Sequence, residues 1–438
     1  MVALTACTDN NEDINPVNPP EPPNPGIPVK PSISEKVFAI SIDGHANFEY
    51  LTTKAAIDTE LEKIKGYGFN TIYLDVKPST GRALYKSDIL KPCNSYGNVT
   101  VERDYDDYLG YFIEKGKELG IDIVATFSTC LWGYNYDEVN HEGFIYDNLS
   151  EWRNEVQVRN EHGSETLVSN IEEANNTLLF LSPGSPKFQT FILNVIGELV
   201  TNYPDLKGVN LDYLRYAESE HGWYGMGDVD LEGYAQYWNE SKPKPTEIVE
   251  TSGSTGPKFH KWIEYRSATV KSLLEKIRNR VKSINPDCEI QLWASSDWPS
   301  RYCVGQNWGS MRNVPSGYQY TNTYHKTGFA HLLDTFVSGA YAVQVWEQDD
   351  PTVTWCVEKF CKHWNDYIMN ECKCVVAVPA YAYIEDPQKM TDATYLALHY
   401  SNGVRVFELS HINNGNLWDA IVKGYERYVN ETKRIMKE

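Results

Sequence analysis

The chain has 438 residues, more than one ordinary core of roughly 100–200 residues requires, so it holds either two domains or one large α/β barrel. With 41% hydrophobic and 23% charged residues, and 12 Trp, 30 Tyr and 14 Phe, it can bury a sizeable core, which excludes global disorder and a small disulfide scaffold. Forty basic against sixty acidic residues leave a net charge of −20, a field that repels phosphate backbones and speaks against nucleic acid as a partner.

At the start, Leu4-Thr-Ala-Cys7 is followed at once by the acidic run from Thr8 to Asp13 and then by a Pro/Asn-rich stretch from Asn15 to Pro31. This resembles the lipobox and acidic export tag of Bacteroidetes surface lipoproteins. The resemblance implies a lipid anchor at Cys7 and an outer-membrane lipoprotein facing the cell surface or periplasm. The basic and apolar regions of a signal peptide do not precede it, which suggests a truncated or misassigned start. Seven Pro between positions 16 and 28 build no packed element and read as an extended tether. Residues 1–33 are therefore expected to be anchor, tag and tether, and residues 34–438 the folded domain. No apolar run reaches the length of a membrane span, so membrane contact is expected only through Cys7. The other eight Cys show neither Cys-x-x-Cys nor zinc-finger spacing and read as small buried hydrophobes; an export compartment would permit disulfides, with the pairs left open.

From residue 34 onward, short β-branched runs alternate with amphipathic stretches. Val37–Asp43 reads as a strand, followed by a helix over Lys54–Lys65 with Ile57, Leu61 and Ile64 on one face. Asn70–Val76 is the second strand. A helix over Tyr105–Leu119 ends at Gly120 before the third strand, Ile121–Phe127. Helices over Pro186–Val200 and Lys258–Val281 lead into Gly208–Asp212 and Glu289–Ala294. Further strands are predicted at Ala340–Trp346, Cys374–Ala380 and Val404–Leu409, with a helix over Thr354–Asn370. Eight apolar strands separated by helices, without a Gly-x-Gly-x-x-Gly turn after the first, predict a (β/α)8 TIM barrel rather than a doubly wound sheet. Its long loop insertions follow strands 3, 4 and 5, on the C-terminal face where barrel active sites are built.

Acids at the C-terminal ends of barrel strands point at a ligand, and six qualify: Asp43, Asp75, Asp212, Asp297 just past its strand, Glu347 and Glu408. Asp212 leads them. It follows Val-Asn-Leu directly, and Arg215, three residues on, is expected to pair with it and keep it ionised, as a nucleophile or oxocarbenium stabiliser requires.

Around Asp212, Leu211-Asp-Tyr-Leu-Arg-Tyr216 resembles the Phe-Asp-Tyr-Ile-Arg-Tyr-Pro signature of glycosyl-hydrolase-like family ten, also called uncharacterised-domain family 187. Gly68-Phe-Asn-Thr-Ile-Tyr73, Gly81-Arg-Ala-Leu-Tyr-Lys-Ser87 and Gln344-Val-Trp346 after Gly339-Ala-Tyr341 resemble other segments of it, so the likeness covers most of 35–410. It implies a (β/α)8 hydrolase of glycosidic bonds, in a family that includes lipoproteins cleaving peptide-free peptidoglycan strands, with Asp212 at the fourth-strand acid that related clans use as nucleophile. The chain departs from the pattern at Arg82, where the family usually has Asp. It also lacks the usual His in its third strand and reads Trp293-Ala-Ser-Ser-Asp-Trp298 in place of Pro-Phe-Gly.

Glycoside hydrolysis also needs a protonated carboxyl group. Asp297, between Trp293 and Trp298, is the first candidate and Glu347, beside Trp346, the second. Tyr213, Arg215 and Gln344 are expected to orient substrate together with Asp43, Asp75 and Glu408. Trp132, Trp223, Trp298, Trp308 and Trp346 are candidate stacking platforms, and His45, Lys77 and Arg82 candidate contacts to an acidic sugar or an N-acetyl group, or else partners of Asp43 and Asp75. No ligand spacing calls for a metal, and no cofactor is expected. The reading is a tethered glycoside hydrolase acting on a polysaccharide or oligosaccharide. The alternative is a surface glycan-binding lipoprotein whose barrel has lost a catalytic acid.

Overall fold

In the computed structural model, which describes residues 36–135, 141–161, 165–173 and 177–435, eight strands form one closed parallel barrel. They are β1 Val37–Ile42, β2 Thr71–Lys77, β3 Asp122–Ser128, β4 Gly208–Asp212, β5 Glu289–Ser295, β6 Thr335–Gly339, β7 Lys373–Pro379 and β8 Gly403–Phe407. Each pairs with its neighbours in sequence, and β8 closes on β1 with Val37 opposite Gly403. The proposed anchor at Cys7 and its tether lie outside the described residues.

Every second strand residue faces outward and packs under the helices: Ile40, Leu74, Phe127, Leu211, Leu292 and Val376 all belong to the main core. The intervening positions face the lumen, where Ala39, Tyr73, Val124, Val337 and Ala377 form a small separate cluster. This parity places Asp75 two residues after Tyr73, and Asp212 two after Asn210, which bonds the lumenal Thr126 at 3.3 Å. Both acids are therefore lumenal at the upper rim.

The outer layer comprises α1 Lys54–Gly66, α2 Tyr108–Leu119, α3 Pro186–Asn202, α4 Phe259–Ile284, α5 Val357–Ile368, α6 Pro387–Tyr400 and α7 Trp418–Ile435. Their starts are set locally. Thr53, Asp107 and Ser185 accept the free N–H groups of Ala56, Gly110 and Phe188, and Gly120 closes α2 in the left-handed region at φ 65°. Between β5 and β6 the connection is made by three short 3-10 turns. Among the described residues no helix is long and apolar enough to cross a membrane, and the eight Cys are all unpaired.

The sixth strand differs from expectation. Ala340–Trp346 is a loop, and the strand is Thr335–Gly339. Both halves of the apolar stretch have strand character, but only the first meets two partners, Gln291–Ser295 on one side and Lys373–Ala377 on the other. The predicted insertions after β3, β4 and β5 are joined by one after β2, residues 78–107, which carries a small ladder of Ser95–Tyr96 on Val99–Thr100. The insertion after β3 folds into an antiparallel sheet of Leu131–Asn135 between Thr177–Phe180 and His141–Glu142. These two insertions wall one side of the barrel mouth.

Candidate active site

A cavity of about 250 Å³ opens at the C-terminal end of the barrel, and its lining includes Asp43, Asp75 and Asp212 together with His45, Tyr96, Tyr213, Trp293, Arg405 and Phe407. A larger hollow of about 470 Å³ lies outside the barrel, between the insertion after β2 and α2. Its acids, Glu102 and Asp106, are exposed and project from a loop, so it lacks the enclosed, converging carboxyl groups of the smaller cavity.

At the end of β1, Asp43 turns the chain by accepting the N–H groups of His45 at 2.9 Å and Ala46 at 2.8 Å. His45 stacks on Tyr96 with ring centres 3.6 Å apart, its Nδ1 lies 3.4 Å from Ser79 Oγ, and its buried Nε2 has no partner. Burial, opposed by the charge of Asp43, lowers the imidazole to about 4. It is neutral at physiological pH, so it offers an acidic sugar no positive charge.

Asp75 receives one N–H, from Gly44 at 3.2 Å, while its Oδ1 is buried without a partner. A Cβ on Gly44 would lie 2.7 Å from a Leu84 methyl and 3.1 Å from Asp75 Oδ2, so only glycine allows this approach. Burial first, then the charges of Asp43 and Asp212, push the Asp75 carboxyl well above its usual range, against the opposing Gly44 N–H and Lys77. After Asp75 the register slips. Lys77 comes opposite Phe127 and is fully buried, bonding the carbonyls of Ser128 and Leu131 with its ammonium 3.7 Å from the Trp132 ring centre. It stands outside the cavity lining.

Asp212 ends β4, where its carbonyl accepts the N–H of Thr129 at 2.7 Å. Its Oδ1 accepts the N–H of Tyr213 at 2.7 Å, and Tyr213 adopts the left-handed region at φ 49°. A bulky residue in that region marks stored backbone strain of the kind found at functional sites. Burial pushes Asp212 up to about 6, while the Tyr213 N–H, Arg405 and Arg215 hold it down and Asp43 adds to the rise. The expected Asp212–Arg215 ion pair is not among the described contacts. Arg215 bonds the Tyr216 carbonyl at 3.0 Å and lies over the Phe180 and Tyr213 rings.

The cation at the cavity floor is Arg405, on a lumenal position of β8. Its Nε donates to Ser41 Oγ at 2.6 Å, its guanidinium lies 4.0 Å from the Trp293 ring centre and 4.4 Å from that of Tyr73, and its Nη1 is buried without a partner. An Arg inside the apolar run Val404-Arg-Val-Phe407 is itself a signal in the sequence, because a buried charge needs a purpose or a partner.

The other predicted site residues fall elsewhere. Asp297 heads the 3-10 turn Trp298–Val304 and lies near Tyr367, whose hydroxyl burial and then Asp297 push up. Glu347 is an exposed partner of Lys362 at 3.1 Å. Glu408 is fully buried. It caps the helix Leu409–Asn414 through the N–H of Ser410 and accepts Asn47 Nδ2 at 2.7 Å, so it ties β8 to the turn after β1. Gln344 donates to the Trp346 and Asp350 carbonyls, and the Trp346 indole to Asp392 at 3.0 Å. Trp298 is buried, stacked on Tyr367 and bonded to Asn307, while Trp132 and Trp308 are wholly inside the core. Arg82 clamps the two insertions together through Glu142 at 2.8 Å and Asp147 at 3.5 Å. Among the described residues no three His, Cys, Asp or Glu side chains are grouped to hold a metal.

The sequence pattern of a family described as glycosyl hydrolase-like 10 matches residues 37–396. An S-layer-related protein of Niallia circulans is 23% identical over 394 residues, 85% of this chain but 23% of its own length. The glycosyl hydrolase DigH of Escherichia coli K12 is 24% identical over 268 residues, 60% of this chain and 53% of its own, so the chain spans about half of that relative or less of the other. Among solved structures, an α-L-fucosidase of Paenibacillus thiaminolyticus superposes with a TM-score of 0.56 at 13% identity, covering 90% of this chain and 49% of that one. A β-galactosidase of Bacillus circulans does so at 0.51 and 10%, covering 86% and 50%. At such identities the two structures speak for the barrel alone.

Proposed function

The chain belongs to the glycosyl hydrolase-like 10 family, and from that premise we propose that it hydrolyses glycosidic bonds of a polysaccharide or oligosaccharide with Asp75 and Asp212 as the working carboxyl pair. The observation that carries this reading is that both lumenal acids line one cavity, where burial raises each carboxyl above its usual range. Strands β2 and β4 are separated by β3 alone, so their backbones stand roughly 10 Å apart, a span that two inward-leaning aspartates shorten toward the spacing of glycosidase pairs.

Burial, with the charges of Asp43 and Asp212, favours the protonated form of Asp75, and Asp212, which burial raises to about 6, is ionised near neutral pH. Asp75 then delivers its proton to the leaving glycosidic oxygen as the bond from the anomeric carbon breaks. The Asp212 carboxylate meets the positive charge that grows on the ring, and the anomer released distinguishes its own attack from attack by a water it activates. Arg405, beneath them, keeps Asp212 ionised, and neutral His45 offers its free Nε2 to a sugar hydroxyl. In this reading the proton donor is Asp75 rather than Asp297 or Glu347.

The envelope placement rests on the lipobox-like Cys7 and the Pro-rich run behind it, and Cys7→Ser is expected to release the protein from membranes. The activity is tested by screening peptidoglycan, host and plant glycans with the wild type and Asp212→Asn. Release of reducing ends by the wild type and its loss in the folded variant support the reading. Equal turnover by both would remove Asp212 from the chemistry, and binding without turnover would leave a glycan-binding barrel.

A further inference from the structure

A line of aromatic contacts leaves the cavity on the side opposite the acids. Trp293 and Phe407, both in the cavity wall, have ring centres 5.2 Å apart. Tyr341, two residues past β6, meets them at 6.0 and 5.9 Å. The Trp355 indole N–H donates to the Tyr341 carbonyl at 2.8 Å, and from Phe407 the contacts run through His411 at 6.3 Å to Tyr381 at 5.6 Å. Trp355 and Tyr381 stand in the loops after β6 and β7, at the same end of the barrel as Asp212, and are 43% and 49% exposed.

Single exposed rings are ordinary on a protein surface. Tyr381 ends the line of ring contacts that begins in the cavity wall, and Trp355, tied to that line through the Tyr341 carbonyl, is held by this bond and by edge-on packing on Phe360 at 4.8 Å while remaining 43% exposed. A flat, held ring with an open face suits the apolar C–H face of a pyranose, whose hydroxyls stay solvated at the edge. The same loops carry Glu347, Asp349 and Asp350 after β6 and Glu385 and Asp386 after β7, and the whole chain is at −20, so an anionic polymer is repelled.

We propose that Trp355 and Tyr381 form a second binding region that carries further rings of an uncharged glycan chain out of the cavity, so that the substrate is a neutral polysaccharide rather than a short glycoside. The proposal rests on the glycosidase reading of the cavity and names its substrate class. It places Trp355 and Tyr381 in substrate binding and leaves the bond-breaking step to the carboxyl pair.

Electrophoresis through native gels containing hydroxyethyl cellulose, mannan, arabinoxylan, glycol chitin or soluble starch, with carboxymethyl cellulose as the anionic counterpart, tests it. At least one neutral polymer should retard the wild type, and carboxymethyl cellulose should not. Trp355→Ala and Tyr381→Ala should each weaken that retardation about ten-fold, as loss of one aromatic anchor does, and Trp355→Phe should restore most of it. Alanine variants that keep the wild-type circular dichroism and are still retarded as the wild type would overturn the proposal, as would a wild type that no neutral polymer retards. Failure of the glycosidase reading looks different: retardation persists, with no reducing ends released by the wild type.

Discussion

Along β1, β2 and β4 the acids at the strand ends face a cavity and keep capacity to act: Asp75 has an unbonded Oδ1, and burial raises both Asp75 and Asp212. Along β5 to β8 the strand-end acids are committed or turned away. Glu408 is enclosed by Asn47 and Ser410, Glu347 is paired with Lys362 at the surface, and Asp297 lies toward Tyr367. What that half offers instead is Arg405 and an aromatic wall. The contrast teaches that ending a strand does not make an acid functional. An acid whose oxygens are already satisfied holds the fold, and one left short of partners beside a cavity is available for chemistry.

The largest expected effect breaks or upholds this contrast directly. Asp75→Asn and Asp212→Asn should each lower kcat by about 10³-fold, while Glu347→Gln and Asp297→Asn stay within about two-fold of the wild type on the same glycan. Equal losses on both sides of the mouth would erase the distinction. Next is Glu408→Ala, which strands the Asn47 and Ser410 donors in a fully buried site and should cost about 3 kcal/mol, read as a lower denaturation midpoint.

A linkage measurement is the third. The folded Asp212 carboxyl, at about 6, binds its proton more tightly than its ordinary value of 3.8 implies for the unfolded chain. Folding therefore gains from Asp212 below about pH 4 and loses that gain as pH rises through about 6. Asp212→Asn, which never ionises, should stabilise the protein by roughly 1–3 kcal/mol at pH 7.5 and hardly at all at pH 4. A variant equally stable to the wild type at both pH values would mean that the carboxylate is well solvated.

Smallest is a shift in the activity profile. Activity should fall on the acid side near pH 6 as Asp212 takes up its proton, and on the alkaline side as Asp75 loses its own. Arg405→Gln should move the acid limb upward by about one unit or less, because Arg405 favours the ionised form of Asp212. An unmoved limb would separate the two halves of the mouth electrostatically.

Much of the architecture was legible from local pattern. Seven of the eight strands and five of the seven outer helices are announced by β-branched runs, by amphipathic stripes and by the helix end at Gly120, because hydrogen bonding and burial within an element depend on nearby residues; α6 and α7 were not predicted. The sixth strand was misplaced because Thr335–Gly339 and Ala340–Trp346 have similar propensities and only pairing with β5 and β7 separates them. Asp212 was legible as an acid closing an apolar strand. That Asp75 and not Asp297 stands opposite it was not, since two strands far apart in sequence supply the pair.

The sequence by itself thus determined a parallel barrel with acids at its rim, through period-two and period-3.6 patterns that act over a few residues. Tertiary structure alone decided which acids share a cavity, which are bound into the fold, and how tightly each holds its proton. Hydrogen bonds and charge coupling act through space, as between the Asp43 N–H and the Glu408 carboxylate at 3.4 Å, or between Asp212 and Arg405.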